Sequence, residues 1–220
     1  MEKKYQCMVC YHILTKPQKF RGACQKSLAR QILEETFFAF FGVRLQWDLI
    51  KRSAHGKPCY DSPDPYYFNI SHCDTAIAVA VARVPVGIDV EGLRRVKCSV
   101  VKKCCSAAET EYVYGTENLR SFGKEELCED EAKRFLHLWT LKESYVKMTG
   151  EGMRVPFDTV CFDMGGFRET EHGILQSEKA GQHKSCLFVQ KDTAMALALK
   201  DDSADKGTDV IWLPYSSAGF

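Results

Sequence analysis

The chain has 220 residues, 45% of them apolar, enough for one large domain or two small packed ones. Thirty basic and 29 acidic residues leave a formal charge of +1, so no global field draws the chain to nucleic acid or to a membrane surface, and any cationic ligand site is local. Eleven cysteines in an odd count show no disulfide spacing, Met1-Glu2-Lys3-Lys4 does not begin a signal peptide, and no stretch approaches the ~20 apolar residues of a membrane span; the expectation is a reduced, soluble, cytoplasmic protein.

In chain order, a strand is expected over Tyr5–Leu14. It holds Cys7 and Cys10, a C-x-x-C with no second ligand pair, so core-facing or idle thiols are expected rather than zinc or redox chemistry. A basic connector with Lys16, Lys19 and Arg21 leads to a helix over about Cys24 to Phe41. Leu28, Ile32, Phe37, Phe40 and Phe41 give it an apolar stripe, and Gly42 a stop. Lys51–Pro65 reads as loop, then Phe68–Ile70, Ala76–Arg83 and Val86–Val90 as strands, the last two separated by Val84-Pro85. Ser106, with Glu109 three residues on, has capping-box spacing for a helix to about Tyr114. Glu129 to about Met148 is the longest helix, with Gly150 suited to its left-handed end. Val160–Met164 and Phe167–Glu171 flank Gly165-Gly166 as an expected hairpin, and Ser185–Gln190, Ala194–Leu199 and Val210–Leu213 complete a strand-rich end. Asp74-Thr-Ala-Ile-Ala-Val-Ala-Val-Ala82 echoes Asp192-Thr-Ala-Met-Ala-Leu-Ala-Leu-Lys200, which would mark two similar halves meeting near Lys97.

Four constellations carry polar chemistry. In Gly87-Ile-Asp89-Val-Glu91, positions two apart share a strand face, so Asp89 and Glu91 present paired carboxylates; a hard divalent cation relieves such a pair, although most D-x-E sequences are solvated strand ends. Trp139, Glu143 and Lys147 fall at i, i+4 and i+8 on one helix face, either as a tryptophan anchor with an ordinary Glu–Lys pair or as a metal carboxylate with a phosphate-binding cation. Ser71 and His72 are adjacent in an extended Phe68-Asn-Ile-Ser-His72. They point apart and lack a nucleophile elbow, which suits phosphate contact or a strand-ending turn better than hydrolase chemistry. Lys57, in His55-Gly-Lys-Pro58, sits beside a glycine that admits close backbone approach, as a phosphate cation or a solvated loop lysine.

Taken in order, G-K-P, F-N-x-S-H, G-x-D-x-E and W-x-x-K-E-x-x-x-K-x-x-G resemble the 4′-phosphopantetheinyl transferase superfamily, in its larger monomeric type that activates peptide and polyketide synthetases. The resemblance covers about Lys51 to Phe157 with specific motifs. It implies an α+β fold of two similar halves, residues 1–97 and 98–220, related by a pseudo-two-fold axis with the active site between them. It implies transfer of phosphopantetheine from coenzyme A to a serine of an acyl or peptidyl carrier protein, with release of adenosine 3′,5′-bisphosphate. Asp89, Glu91 and Glu143 match the residues that bind Mg²⁺ with the coenzyme A pyrophosphate. Lys147 matches the phosphate lysine, and Ser71 and His72 the coenzyme A contacts, with His72 near the 3′-phosphate. Lys57 lines the adenosine phosphate region. Basic residues around the first helix grip the 3′-phosphate in the family; Lys16, Lys19, Arg21, Lys26 and Arg30 are available, and Lys19 and Arg21 are the assignments made. Glu143 is the candidate base for the carrier serine. Glu109 stands at the spacing of a further family glutamate, with the capping box as a rival explanation. The readings of another class are a non-catalytic coenzyme A or carrier-binding module and a Mg²⁺-dependent phosphate-ester hydrolase.

Overall fold

The computed structural model describes residues 5–13, 23–115, 124–169, 174–177, 183–200 and 210–216. Strand β1 (Cys7–Ile13) precedes helix α1 (Ala23–Phe41), the short strands β2 (Ile50–Arg52) and β3 (Pro58–Tyr60), then β4 (Tyr67–Cys73) and β5 (Ala76–Ala82). There follow β6 (Val86–Gly92), α2 (Cys98–Cys104), α3 (Ala107–Tyr114), α4 (Glu129–Thr149), β7 (Phe167–Glu169), β8 (Leu175–Ser177), β9 (His183–Gln190), β10 (Thr193–Lys200) and β11 (Val210–Pro214). The expected α+β class is therefore observed.

The strands form two main sheets, ordered β11-β1-β5-β4 and β6-β10-β9-β8-β7, with β2 and β3 as a separate hairpin. The alternation within β5 and β10 explains the layering. Alanines 76, 78, 80 and 82 of β5 face Met195, Leu197 and Leu199 of β10 in a core between the sheets. Ile77, Val79 and Val81 pack on Ile32, Leu33 and Phe37 of α1, while Ala194 and Ala196 lie under Leu138 and Leu141 of α4. The order is thus helix, sheet, sheet, helix. The echo between β5 and β10 does not repeat in packing, because the alanines face the opposite sheet in β5 and the helix in β10. Strand order does repeat. In β1-α1-β4-β5 and in β6-α4-β9-β10, the last strand lies antiparallel between the other two.

Local signals account for the element ends. Gly42 closes α1 at φ +74°, its N–H bonding Phe38 O at 2.8 Å. Gly150 closes α4 in the left-handed conformation, and Ser106 and Glu109 form both bonds of a capping box on α3. Two expectations are corrected. The loop over Lys51–Pro65 contains the β2–β3 hairpin, turned at Gly56 with φ +82°. The expected hairpin across Gly165-Gly166 is absent: β7 pairs with β8, and residues 160–166 are irregular or 3₁₀. Val160 O and Phe162 N bond to Lys142 and Glu109, and Asp163 accepts from Gly165 N, so this backbone is already committed. Cys7 and Cys10 are buried free thiols, and burial pushes Cys10 up to about 11. Among the described residues no helix is long and apolar enough to cross a membrane.

Candidate active site

The centre of the site is the crossing of β6 and α4. Val86, Ile88 and Val90 enter the inter-sheet core, which turns Gly87, Asp89 and Glu91 toward the helix. Gly87 sets the distance: a Cβ there would lie 2.0 Å from Ser144 O and 2.3 Å from Met148 N, so only glycine lets the helix backbone rest on the strand. Two residues on, the buried Asp89 meets Lys147, whose Nζ lies 2.6 Å from Oδ1. The i, i+4, i+8 face of α4 is therefore the one that addresses the D-x-E strand.

Strand β4 completes the centre from the other edge of β6. Its alternate residues Asn69 and Ser71 replace a backbone ladder with side-chain bonds. Asn69 Oδ1 accepts from Ile88 N at 2.8 Å, and Ser71 Oγ accepts from Val90 N at 3.3 Å. Ser71 Oγ donates to Asp89 Oδ1 at 2.9 Å and receives a bond of the same length from Lys147 Nζ. Ser71 is thus buried among Asp89, Val90 and Lys147, while His72 is exposed on the opposite face. Asn69 was not singled out in the sequence; its place two residues before Ser71 on the same strand face was the available signal.

Negative charge concentrates here. Burial raises the Glu143 pKa above the usual carboxylate value, Asp89 and Glu91 raise it further, and Lys147 opposes them. Glu91 is raised mainly by burial and then by Asp89, with Arg94 and Lys147 opposing. Asp89 Oδ2 is buried without a hydrogen-bond partner among the described residues. Three mutually repelling carboxylates with one orphaned oxygen are a donor set that fits a hard cation. They are not gathered into a closed cage: among the described residues no group of three His, Cys, Asp or Glu side chains stands ready to hold a metal. An open set of this kind suits Mg²⁺, which takes few protein carboxylates and keeps positions for water and substrate phosphates.

Among the described residues, one cavity opens at this point and others lie beside it. The first, about 260 Å³, is lined by Asn69, Glu143, Lys147, Lys57 and Phe157. A second, about 390 Å³, lies beyond Lys57 among Tyr60, Tyr66, Tyr67 and Pro85. The third is a groove of about 820 Å³ lined by Lys26, Arg30, Arg52, Trp47 and His72, with the Arg30 guanidinium 5.0 Å from the Trp47 ring centre. His72 therefore joins two of the basic residues of the first helix. Lys19 and Arg21 lie outside the described residues. Lys57 walls two cavities, but its ammonium is turned to backbone, 3.1 Å from Val86 O and 3.0 Å from Met148 O.

A sequence model of the 4′-phosphopantetheinyl transferase superfamily matches residues 85–198, from the start of β6 to near the end of β10. The chain belongs to this superfamily. Among curated relatives, it is 29% identical to the 4′-phosphopantetheinyl transferase Sfp of Bacillus subtilis (strain 168), over 97% of this chain and 87% of that one. It is 26% identical to the 4′-phosphopantetheinyl transferase ffp of Bacillus subtilis, over 98% and 88%. With the 4′-phosphopantetheinyl transferase gsp of Aneurinibacillus migulanus it shares 32% identity over 52% of this chain and 44% of the other.

The lysine of W-x-x-K-E has a different task from its neighbour Glu143. Lys142 turns into the core, where its three donors reach Glu109 Oε2 at 2.8 Å, Phe157 O at 2.8 Å and Val160 O at 2.6 Å. Glu109 also accepts from Ser106 N and Phe162 N. Glu109 is thus both cap and buried counter-ion. The pair binds α3, α4 and the segment carrying Phe157, whose ring meets Trp139 edge-on at 5.0 Å. The sequence signal for it was Glu109 itself, one of whose two readings was structural.

Proposed function

We propose that this chain transfers 4′-phosphopantetheine from coenzyme A to a serine of an apo acyl or peptidyl carrier protein domain, releasing adenosine 3′,5′-bisphosphate, in a Mg²⁺-dependent reaction. The observation that carries the proposal is the convergence of Asp89, Glu91, Glu143 and Lys147 at a crossing held close by Gly87. In this reading Asp89, Glu91 and Glu143 hold Mg²⁺, which when bound neutralises phosphate charge. Lys147 offers its ammonium to a phosphate oxygen at the same point. Ser71 orients both Asp89 and Lys147 through its hydroxyl. Glu143 is the proposed base that takes the proton of the carrier serine. The basic groove beside β4 receives the nucleotide, with His72, Lys26 and Arg30 toward the 3′-phosphate and Lys19 and Arg21 assigned to the same end. Lys57 lines the adenosine phosphate region.

The same proposal takes the fold as two pseudo-symmetric halves with the active site between them. The repeated order of strand, helix, strand, strand supports it, and the alanine echo does not. Strand β6 pairs with β10 across the proposed boundary at Lys97. The protein is proposed to be cytoplasmic and to act as a monomer.

The test is intact-protein mass spectrometry of apo carrier proteins incubated with the enzyme, coenzyme A and Mg²⁺, with an EDTA control. Metal-dependent gain of one phosphopantetheine per carrier is expected. No gain on fatty-acid, polyketide or peptide carriers while coenzyme A still binds would replace the proposal with a binding module.

A further inference from the structure

Lys57 is a cation beside a proposed phosphate site, yet its ammonium is not presented to the cavities it lines. Nζ bridges Val86 O, at the start of β6, and Met148 O, in the last turn of α4. Met148 O is one of the final carbonyls that a helix leaves without an internal partner, and a cation there also meets the negative end of the helix dipole. The stem crosses the helix cap: a Cβ on Gly150 would stand 3.2 Å from Lys57 Cδ, so the G-K-P loop and the glycine that ends W-x-x-K-E-x-x-x-K-x-x-G interlock. Burial lowers the Lys57 pKa to about 8, as expected for an ammonium held by carbonyls rather than by a carboxylate. Met148 follows Lys147 directly, and Val86 lies three residues before Asp89. The lysine therefore ties together the two backbones that carry the Lys147–Asp89 contact.

We propose that Lys57 is a positioning residue that fixes the end of α4 on β6 and so sets Lys147 against Asp89, rather than a ligand of the substrate phosphates. The transfer reaction of the preceding section is the activity through which this is read. K57M keeps the apolar stem and removes all three donors; K57Q serves the same comparison where K57M is too unstable to purify. Three quantities are measured: carrier modification kinetics, adenosine 3′,5′-bisphosphate affinity by calorimetry without metal, and the kinetics of K147A with and without K57M. Loss of position lowers kcat by about tenfold or more and leaves bisphosphate affinity within about twofold. Because Lys57 acts through Lys147, adding K57M to K147A costs less than about a further twofold. About tenfold weaker bisphosphate binding with kcat preserved would make Lys57 a phosphate ligand and overturn the proposal, as would a full additional loss of kcat in the double variant. Should the wild-type protein modify no carrier, the transferase reading fails by itself. Amide hydrogen exchange then decides the strap, with faster exchange in K57M at residues 146–150 supporting it and unchanged exchange refuting it.

Discussion

Replacing Lys142 by methionine would isolate a charge at the base of the candidate site. Methionine keeps most of the side-chain volume and removes three hydrogen-bond donors. Glu109 is left as a buried carboxylate with only Ser106 N and Phe162 N to serve it, and the carbonyls of Phe157 and Val160 lose their donor. Both side chains of the pair are 1% exposed, so water does not take over. Breaking a buried ion pair from one side costs about 3–5 kcal/mol, because the remaining charge stays desolvated. In a chain of this length that lowers the melting temperature by roughly 6–20 °C. Adding Glu109→Gln to Lys142→Met removes the isolated charge while keeping a carbonyl for Phe162 N, and should restore about 1 kcal/mol or more. Urea denaturation followed by tryptophan fluorescence compares wild type with both variants, since Trp139 packs on the affected segment through Phe157. A Lys142→Met protein within about 1 kcal/mol of wild type, or a double variant less stable than Lys142→Met, would refute the view that this pair organises α3, α4 and the Phe157 segment.

Asp89→Ala removes the carboxylate shared by Ser71 and Lys147 and is expected to cut carrier modification about 100-fold or more in a protein that still folds, because losing the Lys147 contact is offset by relief of the repulsion with Glu91 and Glu143; near-normal turnover would defeat the metal assignment. Gly87→Ala forces α4 off β6, since its Cβ would overlap Ser144 O and Met148 N, and should cost about 1–3 kcal/mol with a disproportionate fall in kcat; a fully active variant would mean the crossing distance does not matter. Glu143→Gln should abolish transfer and stabilise the metal-free fold. Glu143 has a raised folded pKa, so its ionisation opposes folding: the penalty is absent below the ordinary glutamate value of 4.5 and complete above the folded pKa. The stability advantage of Glu143→Gln in EDTA should therefore grow as pH rises through the ordinary glutamate value and level off above the folded pKa, and an advantage that shrinks with pH would contradict the burial and repulsion described here.

The parts of the site readable from sequence are those set by local periodicity. Asp89 and Glu91 share a face because strands alternate, and Trp139, Glu143 and Lys147 share one because helices turn every 3.6 residues. That these faces meet is tertiary, and it is written mainly in Gly87, whose missing side chain admits α4. Asn69 and Ser71 were equally local as a same-face pair, but their partners lie 18–19 residues away on β6 and 76 away on α4, which periodicity does not reach. The expected hairpin at 160–171 failed for the same reason: two fixed glycines suggested a turn, while Lys142 and Glu109 had already claimed the backbone before it. The alanine echo misled in another way, because small residues serve a sheet-to-sheet contact in β5 and a helix-to-sheet contact in β10, and composition alone does not separate these. Within one motif, adjacent letters then divide the labour. Glu143 faces the cleft and Lys142 the core, and Lys147 reaches Asp89 while the following Met148 offers its carbonyl to Lys57. A motif of this kind is conveniently read as a list of ligands, yet one of its three charged letters, Lys142, is spent on the core. The consequence is experimental: loss of activity on changing Lys57 or Lys142 does not identify a ligand unless binding and turnover are measured separately.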